Sequence, residues 1–156
     1  EAFGVETRET GNGVVISRPK EYRPARLSLR FHENPDVGQT MAALCVGLGI
    51  PFHFTGLETL RIKETDRIAA LQHELVRFGA EITEPAPGEL RWDGKTNPGM
   101  QETLPSIETY GDHRMAMAFA PLALTGRELL IRDPGVVTKS YPGFWEDLRK
   151  VGFLIG

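Results

Sequence analysis

An internal repeat of 76 residues constrains the fold of this chain more than any other feature. Asp36 is followed five positions later by the pair Met-Ala, and Asp112 is followed by the same pair at the same distance. The same offset of 76 residues relates Lys63 to Lys139, and it relates the strand-like residues 52–54 to residues 128–130, which are also strand-like. A period of this length indicates similar structural units that stack against one another.

Each unit of the repeat consists of an Asp, an apolar helix, a strand, a Lys, an amphipathic helix and a Gly. Because strands and helices alternate, the pattern predicts an α/β domain in which they form layers. Residues 1–34 contain only strand patterns, so we expect them to be the end of an earlier unit. The chain has 156 residues and starts at Glu1 instead of Met, so we expect it to be part of a longer protein.

Hydrophobic periodicity and turn residues predict the individual elements. Strands are predicted at residues 14–16 (after a turn at 10–13), 25–31, 52–55, 59–62, 81–83, 89–92 and 129–132. Helices are predicted at residues 38–48, 65–78, 112–124 and 142–150, with a kink at Pro121. Loops are predicted at residues 34–36 and 93–105.

The predicted helix 65–78 is amphipathic. Thr65 is suited to cap its first turn, and Gly79 to end it. Its spacing predicts an apolar face and a polar face. The apolar face consists of Ile68, Leu71, Leu75 and Phe78, and the polar face of Gln72, Glu74 and Arg77.

Composition and charge exclude several classes of partner. The net charge of −3 gives no bulk attraction to nucleic acid or to an anionic membrane surface. No apolar run approaches the roughly 20 residues needed to span a bilayer. Cys45 is the single cysteine and has apolar neighbours, so we interpret it as a core residue and not as a nucleophile.

Cations stand where two helices are predicted to begin. Lys63 and Arg67 flank the start of helix 65–78, and Arg114 follows Asp112 at the start of the next helix. A helix N-terminus already carries partial positive charge, so cations there are unfavourable unless an anion joins them. Arginine is suited to a bidentate grip on phosphate or carboxylate, and the pattern therefore favours an anion site.

Structural interpretations remain open for the same residues. Asp36 and Asp112 could serve only as helix caps. The charges of residues 63–67 could form a solvated first turn with a local ion pair. His113 alone is more often structural than catalytic. The repetition of the arrangement, and an arginine opening an otherwise apolar helix, favour a ligand site because a buried arginine needs a partner.

No cofactor motif accompanies these charges. The four histidines lack the spacing of metal ligands. The chain contains no Gly-rich phosphate loop and no nucleophile elbow.

Three motifs resemble those of a known family. They are Lys-Glu-Thr-Asp-Arg at residues 63–67, Tyr-Gly-Asp-His-Arg-Met-Ala-Met at residues 110–117 and Lys-Ser-Tyr-Pro at residues 139–142. Together with Pro-Asp at residues 35–36, they resemble the C-terminal part of 3-phosphoshikimate 1-carboxyvinyltransferase, the EPSP synthase family. The resemblance extends over essentially the whole chain.

The resemblance implies the inside-out α/β barrel of enolpyruvyl transferases, in which repeated units place helices inside and sheets outside. This chain would be an incomplete C-terminal domain. Its units would be the end of one unit at residues 1–34, a second at residues 35–110 and a third at residues 111–156. The N-terminal domain, the expected partner, would be absent.

The resemblance also implies a reaction, for which we expect neither a metal nor an organic cofactor. The family transfers the enolpyruvyl group of phosphoenolpyruvate to the 5-hydroxyl of shikimate 3-phosphate and releases phosphate, on the way to chorismate and aromatic amino acids. A cytoplasmic location follows from the resemblance, as does binding of glyphosate at the phosphoenolpyruvate site. Because the N-terminal domain carries much of the shikimate-phosphate site, we expect this chain alone to be inactive.

Three residues match the family's catalytic positions. Asp36 matches the carboxylate that accepts the proton of the 5-hydroxyl. Lys63 matches the lysine near that hydroxyl and the developing tetrahedral centre. Glu64 matches the acid that protonates the methylene carbon of phosphoenolpyruvate, a role that requires a protonated carboxyl, so we expect Glu64 to be buried.

Other residues match substrate-binding positions. Arg67, Arg114 and Lys139 match the cations that bind phosphoenolpyruvate, and His113 lies beside them. Shikimate 3-phosphate would be bound by Asp36 and Lys63. Thr59 stands where some members have an asparagine that contacts the same substrate.

Two alternatives share parts of this pattern, and only the second belongs to a different class. The sister enzyme that acts on UDP-N-acetylglucosamine shares the fold and the aspartate base, but we do not expect its sequence to contain the first two motifs. A non-catalytic paralogous module is the second alternative. The complete set of charged residues disfavours it.

Overall fold

The computed structural model describes residues 3–17 and 23–156. In these two segments, seven short strands form three small sheets. The strands are β1 Glu6–Thr10, β2 Gly13–Ser17, β3 Leu27–Arg30, β4 Phe52–Thr55, β5 Leu90–Trp92, β6 Ser106–Ile107 and β7 Leu130–Ile131. The α-helices are α1 Pro35–Leu48, α2 Arg67–Leu75, α3 His113–Phe119 and α4 Phe144–Lys150. The 3-10 helices are Glu58–Ile62, Val76–Phe78, Pro98–Met100, Ala120–Thr125 and Pro134–Lys139.

The element order repeats along the chain. The strand β3 is followed by α1, the parallel strand β4, a 3-10 helix and then α2. The strand β6 is followed by α3, the parallel strand β7, a 3-10 helix and then α4. The helix between two parallel strands is the crossover that such strands require. The sequence repeat therefore corresponds to a repeated strand–helix–strand unit.

The sheets differ in what surrounds them. The strand β4 lies between β3 and the antiparallel strand β5, and both phenylalanines of β4 are fully buried. The hairpin of β1 and β2 pairs Thr10 with Gly13 across its turn, and every residue of its two strands is exposed. The strands of this hairpin are therefore not buried against the rest of the described chain.

The helix α1 lies at the centre of the domain because its side chains are small. It packs against α2, α3 and the 3-10 helix that follows α3. Ala42, Ala43 and Cys45 are fully buried. Because their side chains are small, the neighbouring helices can approach α1 closely. Burial raises the pKa of the Cys45 thiol to about 12. The interpretation of Cys45 as a core residue is confirmed.

The structure corrects several predicted boundaries. Residues 59–62 belong to a 3-10 helix and not to a strand. The predicted loop at residues 34–36 is already the start of α1, because a proline is well tolerated in the first turn of a helix. The polar loop at residues 93–105 contains a short 3-10 helix, and β6 directly after it was not predicted. Residues 81–83 contribute only a single bridge, from Thr83 to Arg91.

Two predicted helices also differ in detail. The helix α2 begins after Asp66, whose Oδ1 accepts a hydrogen bond from Ala69 N at 3.0 Å, so Asp66 and not Thr65 is the cap. Gly79 ends the following 3-10 turn with a positive φ of 79°, as predicted. The third helix changes to 3-10 geometry at Ala120, because Pro121 cannot continue the α-helical hydrogen bonds.

The polar face predicted for α2 is wrong at one position. Glu74 is completely buried, whereas the predicted apolar face is buried as expected. Within the two described segments, no helix is both long and apolar enough to cross a membrane.

Candidate active site

A buried arginine is the centre of the candidate site. Arg67 is the first residue of α2, and its side chain is only 1% exposed. Its guanidinium donates from Nε to Asp112 Oδ2 at 2.6 Å, from Nη1 to Asp36 Oδ1 at 2.7 Å and from Nη2 to Glu64 Oε2 at 2.7 Å. One arginine therefore joins three carboxylates that are distant from one another in sequence.

The positions of these residues follow from the helix starts. Asp36 lies in the first turn of α1, Arg67 opens α2, and Asp112 caps α3 by accepting a hydrogen bond from Arg114 N at 2.9 Å. Because α1 packs against both α2 and α3, the N-terminal ends of three helices meet at one place. Carboxylates are favourable at helix N-termini, which explains why acidic residues can surround the arginine there.

Two further cations approach Asp36. Lys63 Nζ lies 3.4 Å from Asp36 Oδ1, and Arg114 Nη2 lies 3.3 Å from Asp36 Oδ2. With Arg67, three cations thus face three carboxylates, and the cluster is close to neutral. Arg114 is 42% exposed and Lys63 is partly exposed, so the cluster opens to the surface on their side.

The electrostatics favour an ionised Asp36. Partial burial raises the pKa of this carboxyl, but the positive charges of Arg114, Lys63 and Arg67 outweigh burial and lower its pKa below the ordinary value. An ionised carboxylate with open access can accept a proton from a substrate hydroxyl. The geometry therefore suits Asp36 to a base.

The surroundings of Glu64 differ from the expectation. Its side chain is 38% exposed and pairs with Arg67. The predicted burial of Glu64 is wrong for this structure, because the segment before α2 lies on the surface and only Arg67 turns inward.

Asp112 is the cluster residue that sequence reasoning missed. It is completely buried, and both of its oxygens accept from Arg67, at 2.6 and 3.3 Å. The 76-residue repeat pairs Asp112 with Asp36, but the sequence leaves open whether either aspartate is only a helix cap. The repeat was the signal that could have identified it, since the two aspartates contact the same guanidinium from two helices.

His113 lies beside the cluster. Its Nδ1 is 3.8 Å from Asp112 Oδ1, and this buried atom has no hydrogen-bond partner among the described residues. Ligand atoms of Glu64, Asp112 and His113 lie within 4.8 Å of one another, a spacing that a metal ion could use. The guanidinium of Arg67 already contacts both carboxylates, and its charge would repel a metal ion.

Two predicted residues are not joined to the cluster. Lys139 is exposed at the end of its 3-10 helix, which packs against α3. Thr59 is exposed in another 3-10 helix. Within residues 3–17 and 23–156, neither side chain forms a hydrogen bond or an ion pair.

Fold and site together define a class of protein. Repeated strand–helix–strand units bring helix starts together inside the domain, and they present cations and a carboxylate at one opening. This is the arrangement of an α/β domain whose opening is suited to an anionic ligand.

Comparisons with known proteins identify the family. A family model described as EPSP synthase (3-phosphoshikimate 1-carboxyvinyltransferase) matches residues 1–148, and the chain belongs to this family. A 3-phosphoshikimate 1-carboxyvinyltransferase of Bacteroides fragilis is 46% identical over 151 residues, which cover 97% of this chain and 36% of that protein. One from Methanoculleus marisnigri is 35% identical over 154 residues, covering 99% and 35% of the two chains. The chain therefore spans about a third of the length of these relatives.

A solved structure supports the fold. The structure of EPSP synthase from Acinetobacter baumannii superposes with a TM-score of 0.58 at 20% identity, and the match covers 96% of this chain and 37% of that one. The predicted inside-out α/β fold, here incomplete, is confirmed.

Proposed function

We propose that this chain is the C-terminal domain portion of an enzyme that transfers the enolpyruvyl group of phosphoenolpyruvate to the 5-hydroxyl of shikimate 3-phosphate. The products are 5-enolpyruvylshikimate 3-phosphate and phosphate. The observation that carries the proposal is the Asp36 carboxylate, which contacts three cations at an open site. The proposal includes a cytoplasmic location and an N-terminal domain as the partner of residues 1–156, with unit boundaries near residues 34 and 110.

The roles of the residues follow the order of the reaction. Asp36 removes the proton of the 5-hydroxyl, whose oxygen then attacks the central carbon of phosphoenolpyruvate. Glu64, once protonated and released from Arg67, delivers a proton to the methylene carbon, and a tetrahedral intermediate forms beside Lys63. Phosphate then leaves with the proton held by Asp36, and Glu64 takes back a proton from the methyl group, which gives the enol ether. Thr59 contributes to binding of shikimate 3-phosphate, together with Asp36 and Lys63.

Phosphoenolpyruvate is bound by the cations of the opening. Arg114 and Lys139 are exposed and can approach its phosphate and carboxylate, while His113 supplies a hydrogen bond. Arg67 is occupied by carboxylates in the structure, so it reaches the substrate only when Asp36 or Glu64 releases its contact. The same cations would bind glyphosate.

The proposal is tested with the full-length protein that contains this chain. We expect formation of 5-enolpyruvylshikimate 3-phosphate and phosphate from the two substrates, and no product with UDP-N-acetylglucosamine as acceptor. Asp36→Asn should lower kcat by about 10²- to 10⁴-fold, the usual contribution of a general base. Product from UDP-N-acetylglucosamine instead, or no product from either acceptor, would contradict the proposal.

A matched pair of variants tests the anion site. Arg114→Gln should raise KM for phosphoenolpyruvate at least about tenfold, because a cation that contacts a dianion is lost. Arg132→Gln removes an exposed arginine that contacts Ser106 and Glu108, and it should leave KM unchanged. Equal effects of the two substitutions would argue against a site at Arg114.

A further inference from the structure

A second buried carboxylate lies on α2, two turns beyond the arginine of the site. Glu74 is completely buried and follows Arg67 by seven residues, so the two side chains share one face of the helix. The roles proposed above do not use Glu74. A buried carboxylate is costly unless it is paired and hydrogen-bonded, so its contacts indicate what it does.

Glu74 is held from four directions. Tyr110 donates its hydroxyl to Glu74 Oε1 at 2.6 Å, and Glu108 N donates to Oε2 at 3.3 Å. Arg77 Nε donates to Oε2 at 2.9 Å, and His73 Nδ1 lies 2.9 Å from Oε1. Burial raises the pKa of Glu74, but these hydrogen bonds outweigh burial and lower it below the ordinary value. We call the contact between the Glu74 carboxylate and the Tyr110 hydroxyl the clasp.

Tyr110 contributes to the structure chiefly through its hydroxyl. The residue is 41% exposed, so much of its surface remains in contact with solvent. Its backbone has a φ of 54°, which is unfavourable for a residue with a side chain, and Gly111 follows with a φ of 70°. Two consecutive residues in the left-handed region give a sharp turn, and the clasp holds the first of them.

The turn lies directly before Asp112. Asp112 N donates to Thr109 O at 2.9 Å, so the clasped segment continues into the residue that contacts Arg67. The helix α2 therefore contacts residues 108–112 through two side chains of opposite charge, the Glu74 carboxylate and the Arg67 guanidinium. Glu74 holds the beginning of the segment, and Arg67 holds its end.

We propose that Glu74 and Tyr110 are positioning residues that fix the Asp112 carboxylate, and through it the Arg67 guanidinium and Asp36, in the geometry needed for transfer. The consequence for catalysis rests on the proposed function above. Neither residue touches a reacting group. Their effect passes through the turn at residues 110–111 to the pair of Asp112 and Arg67.

Hydrogen exchange tests the positioning without any assay of activity. Tyr110→Phe in the full-length protein removes only the hydroxyl and leaves the ring in place. We expect exchange of the Asp112 and Arg114 amides to become at least about fivefold faster, while the amides of α1 are unchanged. Tyr141→Phe is the matched control, because it deletes another tyrosine hydroxyl that donates to a carboxylate, Asp147 Oδ2 at 2.7 Å. Unchanged exchange in Tyr110→Phe would overturn the clasp as a positioning device.

Steady-state kinetics test the consequence for the reaction. Tyr110→Phe should lower kcat about 10- to 100-fold with KM values for both substrates within twofold, because misplaced groups cost rate more than binding. Unchanged kcat alongside faster exchange would overturn the catalytic role, as would equal changes in kcat and KM. If the wild-type protein has no transferase activity, the proposed function fails, and the exchange result still decides whether the clasp positions Asp112.

Discussion

Asp36 combines two properties that usually oppose each other in a carboxyl group. It is partly buried, which disfavours charge, and three cations surround it, which favours charge. The cations prevail, so the carboxyl group is ionised at neutral pH. The same balance makes the stability of the protein depend on pH through this residue.

Asp36→Asn should destabilise the protein at neutral pH and much less in acid. The pKa of Asp36 is lower in the folded state than its ordinary value of 3.8. The stabilisation is therefore complete above that value and is lost as the pH falls through the folded pKa. Urea denaturation midpoints of the full-length protein at pH 7, 5, 3.5 and 2.5 measure this. A difference between wild type and variant that stays constant down to pH 2.5 would contradict the assignment.

Residue types predicted the composition of the site better than its contacts. The motifs predict five charged residues of one site, and the structure brings their charged groups into one cluster. These residues are Asp36, Lys63, Glu64, Arg67 and Arg114. The sequence does not show that Arg67 is saturated by carboxylates. That depends on three helix starts meeting in space, which no local pattern encodes.

At the scale of elements, the helix α2 shows why a helical pattern is incomplete. Its apolar face was predicted correctly, since apolar side chains lose the most by staying in water. Glu74 was placed on the polar face because an isolated glutamate is rarely buried. Its burial depends on Tyr110, Arg77 and Glu108 N, which come from other parts of the chain or from the next turn.

The contact between α1 and Leu57, the residue before the 3-10 helix Glu58–Ile62, depends on a glycine. Gly38 is buried in α1, and a Cβ atom there would collide with the Leu57 side chain, which is completely buried. Gly→Ala inside a helix normally stabilises by roughly 0.5–1 kcal/mol. We expect Gly38→Ala to destabilise instead, by about 1–3 kcal/mol, the usual cost of overpacking.

Gly135→Ala is the control for this substitution, because the nearest atom to its new Cβ would be Asp133 Oδ1 at 3.7 Å, an ordinary contact. Urea denaturation of both variants gives the comparison, and Gly135→Ala should change stability little. Stabilisation by Gly38→Ala would show that the side chain of Leu57 moves aside without cost.

At the scale of the whole molecule, the repeat predicts the order of the elements but not what covers the outer surfaces of the repeated units. Two strand–helix–strand units follow the 76-residue period, and their parallel strand pairs are equivalent. The repeat does not predict what covers the surfaces at their ends. The hairpin of β1 and β2 exposes Val14 and Ile16, and the cation cluster opens outward at Arg114.

The isolated chain should therefore be catalytically inactive. Reaction in a transferase site requires both substrates to be held in position and shielded from water. Here the cations that would hold phosphoenolpyruvate face solvent, and the chain covers only 36% of its Bacteroides fragilis relative. We expect no turnover by the 156 residues alone above the rate without protein.

Complementation separates a missing partner from a damaged site. The remaining part of the full-length protein, added in trans, should restore formation of 5-enolpyruvylshikimate 3-phosphate, and it should restore far less when the chain carries Asp36→Asn. The comparison requires that both pieces be folded, which circular dichroism of each piece checks. Turnover by the chain alone would mean that one domain can close the site. Restoration that is equal with and without the Asp36 carboxylate would mean that the base lies elsewhere.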